Sequence, residues 1–76
     1  MRTVEEVVSE VFGVERGSVD ESSSPETVKG WDSMGHVNLL VALEENFNVS
    51  IDIGDVIEMV NVRKIRQVLR EYGVRS

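Results

Sequence analysis

Ser33 is the residue whose type and placement offer the most chemistry. It follows Asp32 directly, where a long loop gives way to the strongest helical pattern in the chain. A hydroxyl at that point lies at the surface beside a helix N-terminus, whose free amides and positive dipole end favour a bound phosphate. His36 lies three residues on, so the two side chains share a helix face. A serine–histidine nucleophile also needs an orienting acid, an oxyanion hole and a pocket that excludes water. Asp32 is adjacent but serves better as the helix cap, and nothing in the pattern supplies an enclosed site. No catalytic residue is therefore expected, and His36 is expected as an exposed helix residue that partners touch. With no cysteine and one histidine, the chain offers no disulfide, thiolate metal site or histidine cluster, so no metal is expected either.

The elements that must position Ser33 are helices. Val4 to Phe12 predicts a short one, with Thr3 and Glu6 as a capping box, Gly13 as its stop, and Val4, Val7, Val8, Val11 and Phe12 as an apolar stripe. Residues 14–31 form a long connection with Val14, Val19 and Val28 as anchors and a turn of helix after Ser24-Pro25-Glu26. Trp31 is expected to pack the end of this loop against the helices.

Asp32 to Phe47 is the strongest helix, with Asp32 as N-cap and Leu39, Leu40, Leu43 and Phe47 as its core stripe. Met34, Val37 and Val41 lie on a second apolar face, more than a small surface helix requires, which asks for a docking face or a lined cleft. Gly35 weakens the helix start by up to about 1 kcal/mol and leaves room for an enzyme to approach Ser33. Asn48 to Gly54 reads as irregular, with Ile51 and Ile53 pinned inward, and Asp55 to Met59 as one or two helical turns. Asn61 caps a last helix, Val62 to Tyr72, ended by Gly73. There Val62, Ile65, Val68 and Leu69 face inward and Arg63, Lys64, Arg66 and Arg70 face solvent. Strand-type alternation is confined to Val49, Ile51 and Ile53, which would have no partner. Three longer helices and a short third one predict a small all-α four-helix bundle, a single domain over residues 1–76.

Composition narrows the function further. A chain of 76 residues, 41% hydrophobic and 29% charged, has the balance of one small globular domain. A domain this size buries only about 60% of the surface its unfolded chain exposes, which leaves little for a deep enzyme pocket. No apolar run approaches the roughly 20 residues of a membrane span, and no signal-peptide core is visible, so a cytoplasmic location is expected. Residues 3–62 carry thirteen acidic side chains against Arg16 and Lys29, whereas residues 63–76 carry five basic ones against Glu71. The acidic body disfavours nucleic acid as a partner and favours proteins with basic docking surfaces. The basic last helix reads as a solvated outer face.

Gly30-Trp31-Asp32-Ser33-Met34-Gly35, followed by Val37, by Leu40-Val41-Ala42-Leu43-Glu44-Glu45 and by Phe47, resembles the acyl carrier protein family. The resemblance covers essentially the whole chain, through its length, long first loop, mid-chain serine and short third helix. It implies that Ser33 is joined by a phosphodiester to 4′-phosphopantetheine, donated by coenzyme A through a separate magnesium-dependent phosphopantetheinyl transferase. The arm's thiol would hold acyl groups as thioesters, and the chain would be a carrier rather than an enzyme. The resemblance implies acyl-activating, acyl-transferring or condensing enzymes as partners of a monomer. The expected docking residues are Met34, His36, Val37, Val41, Glu44, Glu45, Asp55 and Glu58, along an acidic strip that also includes Asp32 and Asp52. Leu40, Leu43, Ile51 and Met59 are candidates to line an acyl cleft.

Gly35, His36 and Asn38 stand where housekeeping fatty-acid carriers commonly have acidic side chains, and the last helix is basic. Both departures point to a dedicated pathway such as polyketide, specialised lipid or modified-sugar assembly. Asp-Ser-Met-Gly also resembles the D-alanyl carriers, so an aminoacyl carrier is one alternative, and a helical interaction module without an arm is another.

Overall fold

Thr3 starts the first helix. Its hydroxyl accepts from the Glu6 amide at 3.2 Å, while the Glu6 carboxylate accepts from the Thr3 amide at 2.9 Å, the reciprocal bonding of a capping box. The computed structural model describes residues 2–75. Its helices are α1 (Val4–Phe12), α2 (Ser33–Phe47), α3 (Ile53–Glu58) and α4 (Val62–Glu71), with a single 3₁₀ turn at Arg16–Ser18. The described residues contain no strand, and the chain is the small all-α bundle that the helical spacing predicts. No helix is long and apolar enough to cross a membrane among the described residues.

The caps were set locally, as expected. Gly13 ends α1 at a φ of 65°, Asp32 caps α2 by accepting from the Gly35 amide at 2.8 Å, and Asn61 caps α4 by accepting from the Lys64 amide at 2.8 Å. Val4, Val7 and Val8 of α1, Leu39 and Leu43 of α2, and Val62, Ile65 and Leu69 of α4 make the centre of the core. Val19, Val28 and Trp31 anchor the first loop to it, while Val14 is only half-buried. The loop also completes α4. Its Ser23 and Glu21 carbonyls accept from the Val62 and Arg63 amides, each at 3.0 Å, satisfying first-turn donors that a helix cannot pair internally.

Three expectations are corrected. Helix α3 begins two residues earlier than the spacing indicates and ends at Glu58, so Met59 follows it as a buried C-cap. Ile53 therefore opens α3 with its side chain 81% exposed, while Ile51 alone is pinned inward. Arg66 is not a solvent residue, because α4 packs beside α1 and the first loop. It pairs with Glu5 and lies 3.2 Å from Glu21.

The capping box makes a pH prediction. The bond from the Thr3 amide, followed by that from its hydroxyl, holds the Glu6 carboxyl below its ordinary value. A lowered folded-state value means that this contribution is present above the unfolded carboxylate range and is lost as pH falls through the folded one. Urea midpoints measured against pH should therefore converge for wild type and Glu6→Gln in acid and separate as the carboxyl ionises.

Candidate functional site

Ser33 is the first residue of α2 and is exposed. Asp32 fills the cap with its carboxylate on the Gly35 amide and its carbonyl on the His36 amide at 2.8 Å. This leaves the Ser33 and Met34 amides at the helix mouth without an acceptor among the described residues, an arrangement that suits an anionic group on the serine.

Gly35 is explained by packing rather than by access to Ser33. It is buried against the end of the first loop, where a Cβ would overlap the Gly30 carbonyl oxygen and lie 2.8 Å from Phe12 Cε1. Gly30 turns there at a φ of 93°. Gly35→Ala is expected to lower stability by about 1–3 kcal/mol, because overpacking against backbone outweighs alanine's better helix propensity. Chemical denaturation followed by circular dichroism checks it.

His36 is not an exposed docking residue. Its ring is half-buried, stacked on Trp31 with centroids 6.2 Å apart at 14°, and both nitrogens are engaged. Trp31 Nε1 donates to Nδ1 at 2.9 Å, and Nε2 lies 3.1 Å from the Val56 carbonyl of α3. With both nitrogens occupied, the ring is in no position to act as a base for Ser33, and a serine–histidine nucleophile has no support in the geometry. Trp31 is 2% exposed and stacks in turn on Phe12 of α1, with centroids 5.6 Å apart, so it packs the loop end as expected.

A groove of about 580 Å³ opens beside the serine, lined by Pro25, Trp31, Asp32, Ser33, His36, Val56, Ile57, Met59 and Val60. Of the expected cleft residues only Met59 reaches it. Leu43 and Ile51 are buried in the core, and Leu40 packs half-buried against it. Val56, Ile57 and Val60 line it as well, contributed by α3 and the residues that follow it. The signal for them in the sequence was the i, i+4 spacing of Ile53 and Ile57.

The expected docking residues divide. Met34, Val37 and Val41 form an exposed apolar face on α2, with Met34 72% exposed, and Glu45 and Glu58 are exposed acids. Glu44 and Asp55 are half-buried and make structural ties. Glu44 accepts from the Ile51 amide at 2.8 Å and fixes the connection to α3. Asp55 accepts from the Tyr72 hydroxyl at 2.7 Å, and that same oxygen accepts from the Asp52 amide at 3.0 Å, fastening α3 to the end of α4. The Asp52 amide pulls the Tyr72 phenol down, but the bond to Asp55, burial and the carboxylate charges together leave it raised.

No group of three or more histidine, cysteine, aspartate or glutamate side chains is placed to hold a metal among the described residues. The profile of a family described as "Phosphopantetheine attachment site" matches residues 2–69. An acyl carrier protein of Cyanidium caldarium is 34% identical over 64 residues, spanning 84% of this chain and 74% of that protein. An acyl carrier protein of Prochlorococcus marinus (strain MIT 9515) is 33% identical over 67 residues, spanning 76% of this chain and 84% of that protein.

Proposed function

The chain belongs to the acyl carrier protein family, whose domain carries covalent 4′-phosphopantetheine, and on that footing we propose that Ser33 is the attachment residue and that the chain delivers acyl groups between partner enzymes of a dedicated pathway. The observation that carries this reading is the position of Ser33. It is an exposed serine at the first position of a fifteen-residue helix, with its cap already satisfied by Asp32 and an apolar groove alongside.

The residues fit the group. A phosphodiester on Ser33 Oγ would lie at the α2 mouth, where the dipole end and the free amides of Ser33 and Met34 offset its charge. When attached, the arm supplies the thiol that a cysteine-free chain lacks. Asp32, Trp31 and His36 keep the helix start and the groove wall in place. Met34, Val37 and Val41, with the exposed Glu45 and Glu58, form the face offered to partners, its apolar part giving contact and its acids steering encounter. The family consists of carriers rather than catalysts.

A dedicated pathway is supported by the absence of acidic side chains at Gly35, His36 and Asn38 and by the basic α4. Incubation with coenzyme A and a broad-specificity phosphopantetheinyl transferase should add one phosphopantetheine to the intact mass. Loading of that product by candidate acyl- and aminoacyl-activating enzymes then identifies the cargo. A chain that accepts no arm from any transferase would contradict the reading.

A further inference from the structure

We infer that neutral His36 is a positioning residue that clasps α3 to the end of the first loop, shaping the groove beside Ser33, and that protonation of its ring opens the clasp at Trp31. The inference rests on the reading of Ser33 as the attachment residue only for its functional consequence.

The protonation state follows from the partners. The indole Nε1–H is a donor without acceptor capacity, so Nδ1 must carry a lone pair where it meets Trp31 at 2.9 Å. The Val56 carbonyl is an acceptor without a proton, so Nε2 must carry the hydrogen at 3.1 Å. The two partners together select one neutral tautomer. A second ring proton would fall on Nδ1 and face the indole N–H, setting donor against donor.

The three parts joined in this way come from separate segments: Trp31 from the loop end, His36 from α2 and Val56 from α3. All three line the groove that holds Ser33. The bond matters for α3 because this helix has six residues and its cap, Asp52, makes no side-chain bond to it. Its other polar fastening, through Tyr72 to Asp52 and Asp55, lies toward its N-terminal end. The His36 bond thus holds the C-terminal half, which carries Ile57 and leads to Met59 and Val60 in the groove wall. A ring detached from Trp31 at Nδ1 keeps its Nε2–H on Val56 but no longer ties that half to the loop end. Among the charged side chains, Asp32 lines the groove from the α2 cap, Asp55 of α3 is held by Tyr72, and Glu58 of α3 is exposed. Phe12 of α1 and Trp31, the rings packed behind His36, bring no charge.

Trp31 is the sole tryptophan, so its indole proton reports the clasp directly. The full chain is followed by NMR from about pH 8 to about pH 5, the range in which histidines change charge. After correction for intrinsic exchange, the indole proton of wild type should lose protection by about tenfold, the scale of one lost hydrogen bond. His36→Gln keeps an acceptor and a donor but does not titrate, and should change by less than about twofold. His36→Leu should be poorly protected throughout. In parallel, the rate of phosphopantetheine transfer relative to His36→Gln should fall with pH for wild type and stay low for His36→Leu.

Equal pH profiles for wild type and His36→Gln, or Nδ1 found protonated at pH 8, would overturn the clasp. A transfer rate unmoved while indole protection falls would overturn its positioning role. Absence of transfer in every variant counts against the attachment reading, and the indole profiles still decide the clasp.

Discussion

Trp31→Ala is expected to lower folding stability by about 3–5 kcal/mol, the usual cost of emptying a large aromatic site. The side chain is 2% exposed and holds two things at once. Its ring stacks on Phe12 of α1 at an interplanar angle of 18°, and its indole donates to His36 of α2. Domains typically hold about 5–15 kcal/mol in total, and one this small lies toward the low end, so the variant should be largely unfolded or close to it at 37 °C. Trp31→Phe separates packing from hydrogen bonding. It keeps a ring against Phe12 while leaving His36 Nδ1 unpaired, and should cost less than the alanine variant. Urea unfolding followed by circular dichroism measures both. An alanine variant as stable as wild type would mean that the loop end does not hold α2 in place.

Much of the frame was legible in the residues because it depends on neighbours in sequence. The Thr3–Glu6 box, Gly13, Asp32 and Asn61 fix their helix ends through bonds of three or four residues, and the apolar stripes of α1, α2 and α4 follow from helical period. The exposed serine at the start of α2 was legible for the same reason. What sequence order does not carry is which distant group a polar side chain meets. Glu44 and Asp55 look like surface acids until the Ile51 amide and the Tyr72 hydroxyl are brought to them. His36 looks like an exposed ring until Val56, twenty residues away, supplies its second partner. Gly35 looks like a weak point in a helix until Gly30 and Phe12 close over it. The groove was misplaced for a related reason, since α3 has no side-chain cap to announce its start at Ile53.

Ser33→Ala has the opposite character, a total loss of modification with little change in the fold. The side chain is exposed and makes no bond that holds an element together, so stability should stay within about 0.5 kcal/mol of wild type. The other serines are controls supplied by the chain itself. Ser23 is buried and bonded to the Asp20 amide, and Ser9 is bonded to the Val14 carbonyl. Ser18, Ser22 and Ser24 lie in the first loop, remote in sequence from any long helix start. Ser50 is exposed but lies between α2 and α3, and among the described serines Ser33 alone combines exposure with the first position of a long helix.

The most direct measurement is therefore fragment mass spectrometry of the chain after reaction with coenzyme A and a phosphopantetheinyl transferase, with Ser33→Ala treated alongside. The account predicts one phosphopantetheine on the fragment containing Ser33 in wild type and none anywhere in the variant. An arm on another residue, or an unchanged wild-type mass under conditions that modify a control carrier, would contradict it.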